Sequence, residues 1–383
     1  MKVSSIHRLL MTQFLSALAD NMILMATIFV ITERALGNVY VGIVQASFFV
    51  AYILLAPYAG VLSERIPKAN ILWLGNMIKL VGAVLLLCGL NPALSYAMIG
   101  VGACIYGPGK YAILRELTDN PQSLYKANGL VEGSTIVSIL LGTVLGGFLT
   151  TVSFHLSVAV IIGCYLLSFF FAWILPRGGT TNVSYDRAWR DFGIDINVLI
   201  RNPQAKSSLM GSSSFWMMSS VLRLAMLAWI PIALNLQGTD KASIFMGISA
   251  IGIMFGAILS PKVIPLAKLS RLTYVGAGMA VAVCGVCFVP NMYVTAIILF
   301  LAGFLGGSYV IPLNTILQNE GDSVGSGKVI AIQNFCENVF MLTGTLLYTG
   351  ALKIGMGIPF ILVFFSMVFL LVALYVRRSF VKS

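Results

Sequence analysis

Ionisable side chains inside apolar segments are the residues of this sequence that could do chemistry. Asp20 lies midway along an apolar run at 9–31, which is long enough to cross a bilayer. At helical spacing Gln13, Ser16 and Thr27 share its face, so this helix would carry a polar stripe. A charge at that depth is costly and indicates a functional site with a partner. Two interpretations stay open: a structural acid satisfied by a neighbouring helix, or, as we favour, an acid that lines a central cavity.

Six ionisable residues lie within the apolar segments. They are Asp20, Lys79, Lys110, Glu132, Arg223 and Glu337. Three are acidic and three are basic, so they can neutralise one another as burial requires. We predict that Asp20 and Arg223 form an ion pair or share a water network. Lys79 is interpreted as a packing or snorkelling lysine on a peripheral third helix.

Lys110 follows the tripeptide Gly-Pro-Gly at 107–109, which predicts a kink or an unwound turn in its helix. Such a break would free backbone groups for a ligand and let Lys110 reach the cavity. Glu132 shares a polar helical stripe with Asn128. Both segments are therefore expected to contribute to one polar site.

The composition is that of a polytopic membrane protein. Hydrophobic residues make up 58% of the 383 residues and charged residues only 10%, whereas a soluble domain carries about 25% charged residues. The net charge of +11 then needs a membrane explanation, and we expect no nucleic-acid partner. Cys284 and Cys287 form a CxxC pair without a histidine or a second pair, which favours helix packing over metal or redox chemistry. We expect no metal and no cofactor.

Apolar runs of spanning length predict an all-α integral membrane protein with twelve transmembrane helices. They lie near 9–31, 40–62, 70–90, 93–114, 128–150, 153–175, 205–234, 241–261, 269–289, 291–317, 329–350 and 356–376. A polar segment separates the first six from the last six. We therefore predict an N-terminal bundle at 1–176, a linker at 177–204 with an amphipathic helix near 185–200, and a C-terminal bundle at 205–383.

Basic residues set the expected orientation. Most of the 24 Lys and Arg residues lie in loops and span ends on the side of the N-terminus. Both termini are therefore predicted to be cytoplasmic. The first apolar run is too long for a signal peptide and carries Asp20, so we expect an uncleaved first span.

The two halves of the chain repeat each other. A Tyr-x6-Ile-Leu pattern starts at Tyr106 in the fourth span and again at Tyr309 in the tenth. Glu132 of the fifth span corresponds in the same way to Glu337 of the eleventh. Because each half has six spans, both repeats enter the membrane in the same sense. Parallel six-helix repeats with a binding site between them are the plan of major facilitator transporters, which this sequence resembles.

The connection between the second and third spans, GVLSERIPK at 60–68, is similar to the signature loop of that superfamily, Gly-x-Leu-Ala-Asp-Arg-x-Gly-Arg-Lys. Glu64 stands in place of the aspartate and Pro67 in place of a glycine. We predict a gating role for this loop, in which its charges latch the halves on the cytoplasmic side when the protein is open outward. The gating candidates are Gly60, Glu64, Arg65 and Lys68.

Six segments closely resemble the bacterial lysophospholipid transporter family of the major facilitator superfamily. They are QFLSALADN, GKYAILRELT, KANGLVEGSTIVSILLG, LRLAMLAWIPIAL, VIPLNTILQ and AIQNFCENVFML, spread from the first span to the eleventh. The resemblance implies a flippase of the bacterial inner membrane that moves lysophosphatidylethanolamine and lysophosphatidylglycerol from the outer to the inner leaflet. It implies a functional link to an acyltransferase–acyl carrier protein synthetase, which restores the second chain in phospholipid remodelling. It also implies functional weight on Asp20 and Arg223.

The expected substrate site must hold a phosphodiester anion and one acyl chain among membrane lipids. Its candidates are Asp20, Asn21, Lys110, Asn128, Glu132, Arg223, Gln333 and Glu337. Arg223 and Lys110 can pair with the phosphate, the arginine through two parallel hydrogen bonds and the lysine as a point charge. Glu132 or Glu337 could meet an ethanolamine ammonium, and the aromatic pair at 215–216 is a candidate wall for the acyl chain.

Other function classes fit less well. A glycerolipid acyltransferase would use a His-x4-Asp pair, but neither His7 nor His155 has an aspartate at that spacing. A channel is disfavoured because a two-half architecture suits alternating access. The alternative function is a proton-coupled exporter of drugs or small molecules with the same fold, since Asp20, Glu132 and Glu337 could titrate.

Overall fold

A computed structural model describes residues 2–36, 38–181, 185–235 and 239–381. Within these ranges the regular structure is helical, and no strand occurs. The helices are α1 (Lys2–Glu33), α2 (Asn38–Arg65), α3 (Lys68–Leu87), α4 (Pro92–Glu116), α5 (Pro121–Val152), α6 (Phe154–Trp173), α7 (Ala188–Arg201), α8 (Pro203–Ala233), α9 (Thr239–Val263), α10 (Arg271–Gly285), α11 (Met292–Asn319), α12 (Gly321–Val324), α13 (Ser326–Lys353) and α14 (Ile358–Val381).

Eleven helices of the described residues are long and apolar enough to cross a membrane. α13 is as long as several of them but less apolar, because Gln333, Asn334, Glu337 and Asn338 lie on it. Together these twelve helices correspond to the twelve predicted spans, which confirms the predicted all-α membrane fold.

Two of these helices begin in the same way. Asn91 accepts hydrogen bonds from the backbone N–H groups at 93 and 94, and Pro92 follows it as the first residue of α4. Asn202 caps the backbone at 204 and 205 in the same manner, and Pro203 starts α8. An asparagine cap satisfies backbone donors that a helix start leaves free, and proline at the next position has no donor to lose.

The amphipathic helix predicted in the linker is also confirmed, as α7. It packs on α13 through an edge-to-face contact of Phe192 with Phe335, whose ring centroids lie 5.5 Å apart. Asp195 of α7 also pairs with Lys328 of α13 at 2.9 Å. The linker helix is thus held to α13 by an aromatic contact and an ion pair.

The chain divides into two compact units. The first comprises Met1–Asn120, Val137–Val198 and Gln318–Phe335, and the second Pro121–Ile136, Leu199–Leu317 and Cys336–Ser383. The first unit has an apolar core that includes Ile23, Ile99 and Ile161 from α1, α4 and α6. The core of the second unit includes Phe215 and Phe369 from α8 and α14. The division into bundles at 176 and 204 stays a prediction.

The unwound turn predicted in the fourth helix is wrong, whereas a kink at that place stays a prediction. α4 runs without interruption from Pro92 to Glu116, with Pro108 inside it. The glycines beside the proline serve packing: a Cβ at Gly109 would come within 2.5 Å of Ile71 Cγ2 on α3. Small residues allow two membrane helices to approach closely, so Gly109 lets α4 pack tightly against α3.

Candidate functional site

Asp20 of α1 is engaged by side chains of two other helices. The Lys79 Nζ atom of α3 lies 2.6 Å from Asp20 Oδ2, and the Tyr165 hydroxyl of α6 donates a hydrogen bond of 2.8 Å to Asp20 Oδ1. The Asp20 side chain keeps 21% of its surface exposed, whereas the Lys79 side chain keeps 2%. The acid therefore presents an accessible edge, while its counter-charge is buried.

A chain of hydrogen bonds continues from this ion pair. Lys79 donates to Ser16 Oγ at 2.9 Å, and Ser16 in turn donates to Asn76 Oδ1 at 2.8 Å. Asn76 Nδ2 donates to Ser168 Oγ at 2.8 Å, and Ser168 donates to the Thr12 carbonyl at 2.7 Å. Buried polar groups cost free energy unless they are paired. This network pairs them and joins α1, α3 and α6.

The predicted ion pair or water network between Asp20 and Arg223 stays a prediction. The interpretation of Lys79 as a snorkelling or packing lysine is wrong, because the ion-pair partner of Asp20 that the structure describes is a lysine of α3. Lys79 takes that role, and its ammonium also lies over the Tyr106 ring, 4.8 Å from the centroid. The absence of a side chain at Gly102 makes room for it, because a Cβ there would come within 2.6 Å of Lys79 Cγ. The lysine points inward because α3 turns this face toward α1 and α4.

Arg223 of α8 lines a cavity of about 70 Å³ in the second unit. Its apolar lining includes Phe215, Met246, Ile253 and Met279. Of the described residues that line the cavity, only Arg223 is charged. Arg223 forms no ion pair with a carboxylate that the structure describes. The cavity thus combines one positive charge with an apolar surface.

The other ionisable candidates are buried in the helices that carry them. Lys110 of α4 lies with its Nζ atom 4.3 Å from the centroid of the Tyr111 ring. Glu132 of α5 and Glu337 of α13 are buried, as is Gln333 one turn before Glu337. Each takes part in polar or ring contacts, which burial of such groups requires.

Two predicted amides have well-defined partners. Asn128 of α5 donates through Nδ2 to Thr315 Oγ1 of α11 at 3.0 Å. Asn21 donates to the Ala17 carbonyl of its own helix at 2.8 Å. Asn128 therefore links two helices, while one donor of Asn21 is used within α1.

Glu64, at the end of α2, caps the start of α13. Its Oε1 atom accepts a hydrogen bond of 2.6 Å from the Gly327 N–H, one of the donors that a helix start leaves without an intrahelical partner. The helix dipole also favours a carboxylate at this end. Gly325 makes the turn before α13 with a φ of +111°, a conformation that favours glycine. Glu64 is buried, so the contact is sheltered from water.

Small residues bring α2 and α13 close together at this point. A Cβ at Gly60 would lie 3.1 Å from Ala331 Cβ, and a Cβ at Gly327 would collide with Ser63. We name Gly60, Ser63, Glu64, Gly327 and Ala331 the α2–α13 clasp.

Arg65 and Lys68, the other two gating candidates, lie beside the clasp. The Arg65 guanidinium lies over the Tyr185 ring at 4.9 Å, and Lys68 Nζ lies 3.5 Å from Glu64 Oε2. The Thr181 N–H of the linker donates to the Glu64 carbonyl at 2.8 Å. Of the four gating candidates, Gly60 and Glu64 contact α13 directly, and Arg65 contacts the linker.

Comparison with known proteins identifies the family. The family model of the Major Facilitator Superfamily matches residues 9–345. The lysophospholipid transporter LplT of Photorhabdus laumondii subsp. laumondii is 35% identical over 356 residues, which cover 91% of this chain and 89% of that relative. The lysophospholipid transporter LplT of Yersinia enterocolitica is 36% identical over 358 residues, which cover 91% of this chain and 87% of that relative. The chain belongs to the LplT family of the major facilitator superfamily. It is a multi-pass membrane transporter rather than an enzyme.

Solved structures show the same fold. The transporter FucP in the outward conformation matches with a TM-score of 0.75 at 14% identity, over 98% of both chains. The human organic anion transporter MFSD10 matches with a TM-score of 0.76 at 11% identity, over 97% of this chain and 99% of that one. At such identities the likeness establishes the fold alone, and it confirms the predicted major facilitator fold.

Sequence reasoning missed three participants in these contacts: Lys79, Tyr165 and Gly327. A signal for Lys79 was present, because Asn76 and Lys79 are three residues apart in an apolar helix and so share one face. Tyr165 lies in an apolar aromatic run and gives no such signal. Gly327 contributes a backbone N–H, which every residue except proline has. The residue type at this position therefore gives no sequence signal for the contact.

Proposed function

We propose that this protein moves lysophosphatidylethanolamine and lysophosphatidylglycerol from the outer to the inner leaflet of the bacterial inner membrane by alternating access. Both termini would be cytoplasmic. The observation that carries the proposal is the cavity of the second unit, where Arg223 is the single charge on an otherwise uncharged lining. A lysophospholipid matches this combination of one charge and an apolar surface, because it has one phosphodiester anion and one acyl chain. The names of the LplT relatives support this substrate class.

Arg223 is the residue that we assign to the phosphate. A guanidinium offers a planar fork of donors that can form two parallel hydrogen bonds with phosphate oxygens. A hydrogen bond to a charged group contributes about 1.5–3 kcal/mol. Because no described carboxylate forms an ion pair with Arg223, its donors are available to a cargo. Lys110 would add a second positive charge.

The apolar wall is the part that we assign to the acyl chain. Phe215 gives a rigid surface, whereas Met246 and Met279 are flexible and polarisable, so they can adapt to a chain of variable length. The remaining substrate-site candidates would act on the headgroup, with Glu132 or Glu337 meeting the ethanolamine ammonium.

The α2–α13 clasp would serve as the cytoplasmic gate of the alternating-access cycle. Glu64 closes it through the start of α13, and this bond must break for the cargo to leave on that side. The released lysolipid would then meet the acyltransferase–acyl carrier protein synthetase that reacylates it. We propose this as a functional link between the two activities.

A competition assay in spheroplasts tests the proposed function. Uptake of labelled lysophosphatidylethanolamine is measured with unlabelled lysophosphatidylglycerol, a diacyl phospholipid or a cationic dye as competitor. We expect lysophosphatidylglycerol to compete and the other two to have little effect. Arg223→Ala should lower uptake of both lysolipids, whereas Arg271→Ala, at the start of α10 and outside the cavity lining, serves as the matched control.

The same assay tests the alternative, a proton-coupled exporter of drugs or small molecules. If a cationic dye competes and lysophosphatidylglycerol does not, our proposal is wrong and the exporter function is supported. The exporter would need a carboxylate that gains and loses a proton. Asp20 is already paired with a buried ammonium, which weighs against that role for it.

A further inference from the structure

We propose that the outer face of α7 is a membrane-surface site that binds the phosphate groups of anionic phospholipids. We define this face by Arg187, Arg190, Ile194 and Val198, which are exposed and whose spacing of three and four residues places them on one side of the helix. The proposal goes beyond the proposed function, because these lipids would hold the linker in place and would not be the cargo.

The opposite face of α7 is the one that packs against the protein. Ala188 and Phe192 are buried there, and the Phe192 ring meets the Phe335 ring of α13 with 5.5 Å between the centroids. A linker helix surrounded by water would be expected to turn polar side chains outward, yet Ile194 is 51% exposed and Val198 is 43% exposed. The helix therefore carries apolar side chains on two sides, and only one of these sides is buried by the protein.

The contact with α13 sets the depth of α7 in the membrane. Phe335 lies six residues after Val329, where the predicted span of α13 begins. Because a helix rises about 1.5 Å per residue, Phe192 is level with a point about 9 Å inside that span. Helices that lie in a membrane interface bury their apolar face about 5–10 Å deep. We therefore expect the outer face at this depth to meet lipid rather than bulk water.

Trp189, at the edge of the outer face, supports this placement. Its side chain is 47% exposed, and its ring meets the Phe192 ring edge to face with 6.4 Å between the centroids. Tryptophan is enriched at membrane–water interfaces, because its ring has both an apolar body and a polar N–H. Basic side chains together with exposed tryptophan and aliphatic residues are typical of helices that lie in the plane of the interface.

The arginines are the residues of this face that would select anionic lipid. Arg187 and Arg190 are exposed, and a guanidinium can form two parallel hydrogen bonds with phosphate oxygens. The two acids of α7 are stabilised by other groups. Asp195 pairs with Lys328 of α13 at 2.9 Å, and Asp191 lies in the first turn of α7, where the helix dipole favours a carboxylate. The outer face thus presents positive charge beside apolar side chains.

Site-directed fluorescence of the full chain in vesicles tests the proposal. With the six native cysteines replaced, Ile194→Cys carries an environment-sensitive dye. Asp119→Cys, at an exposed position in the connection from α4 to α5, carries the same dye as the matched control. Quenching is measured with a lipid that bears a nitroxide near its headgroup and with iodide in the water. The vesicles are made of phosphatidylcholine alone or of an equal mixture of phosphatidylcholine and phosphatidylglycerol.

The expected result is a dye at 194 that the nitroxide lipid quenches and that iodide does not reach in the mixed vesicles. The dye at 119 should show the reverse. Quenching at 194 by the nitroxide lipid should be weaker in phosphatidylcholine alone. It should also weaken in about 1 M salt, where the Debye length falls to about 3 Å.

Charge variants separate a specific contact from a general effect of the net charge. Arg187→Gln combined with Arg190→Gln should lower the ratio of embedded to detached helix about fivefold per arginine in the mixed vesicles, which is the usual contribution of one basic residue near an anionic surface. Lys262→Gln combined with Lys268→Gln removes the same charge from exposed positions outside α7 and should leave the ratio unchanged. The melting temperature in detergent shows that each variant is folded, and the lipid dependence of the wild-type arginines needs no charge variant.

Three results would overturn the proposal. Iodide that quenches the dye at 194 as strongly as the dye at 119 would place the outer face in water. A dye at 194 that neither quencher reaches would show that protein covers this face. Equal quenching by the nitroxide lipid with and without phosphatidylglycerol would show that the face binds no anionic lipid. None of these results depends on whether a lysolipid is moved, so they are independent of the proposed function.

Discussion

Removing the Glu64 carboxylate should open the α2–α13 clasp. Glu64 accepts the Gly327 N–H at 2.6 Å in a site that water does not reach. Glu64→Ala would take away a charged acceptor and leave that donor buried without a partner. A hydrogen bond to a charged group contributes about 1.5–3 kcal/mol. Because about 1.4 kcal/mol corresponds to a factor of ten, the open fraction should rise about 10- to 150-fold.

The reactivity of a cysteine at position 63 measures that fraction. Ser63 is fully buried between Gly60 and Gly327, so a Ser63→Cys thiol can react with a permeant maleimide only when the clasp opens. With the six native cysteines replaced, the labelling rate in isolated membranes is proportional to the open population. We expect Glu64→Ala to raise this rate by at least about tenfold, as its calculated loss of free energy requires.

The control and the refuting result are equally direct. Glu33→Ala removes the same charge from an exposed position at the end of α1 and should leave the labelling rate unchanged. A labelling rate in Glu64→Ala that matches the rate in Glu33→Ala would show that Glu64 does not hold the clasp closed.

Three further predictions concern the cavity and the Lys79 site. Arg223→Lys should keep part of the uptake that Arg223→Ala loses, because lysine supplies the charge without the two-pronged geometry; initial uptake rates of labelled lysophosphatidylethanolamine measure this. Ala250→Trp should slow uptake several-fold by filling the cavity of about 70 Å³ that Ala250 lines. Normal uptake by this variant would show that the acyl chain does not occupy that cavity. Gly102→Ala should lower the melting temperature, because its Cβ would lie 2.6 Å from both Lys79 Cγ and the Gly75 carbonyl oxygen and overpacking costs about 1–3 kcal/mol. The control is Gly163→Ala, whose Cβ would meet no described atom within 4 Å.

The spans could be predicted from sequence because each is a local property. An apolar run of sufficient length has few alternatives in a membrane, and the Asn-Pro pairs at 91–92 and 202–203 mark helix starts without reference to the rest of the chain. The depth of Asp20 within its span was predictable for the same reason. Its importance followed from the cost of burying a charge.

The partners of these residues could not be predicted because they depend on how helices face one another. The sequence places three basic residues within spans as possible partners of Asp20, and its spacing does not indicate that Lys79 of α3 is the one that pairs with it. The Gly-Pro-Gly tripeptide predicted a break because its local signal is strong. In the folded protein α4 is nevertheless continuous through Pro108. The α13 end of the clasp is a backbone donor and has no side-chain signature at all.

The distribution of charge at these sites suits an anionic cargo. A carrier for an anionic lipid needs a positive group that the cargo can reach and no free negative group in its path. Lys79 neutralises Asp20 from the buried side of its helix, while Arg223 has no described carboxylate to neutralise it. A cationic drug would be repelled by the positive charge of Arg223, and the carboxylate of Asp20 that could attract it is already neutralised by Lys79. We therefore propose that the phosphate is selected by charge at Arg223 and that the single acyl chain lies against the apolar side chains that line the cavity beside it.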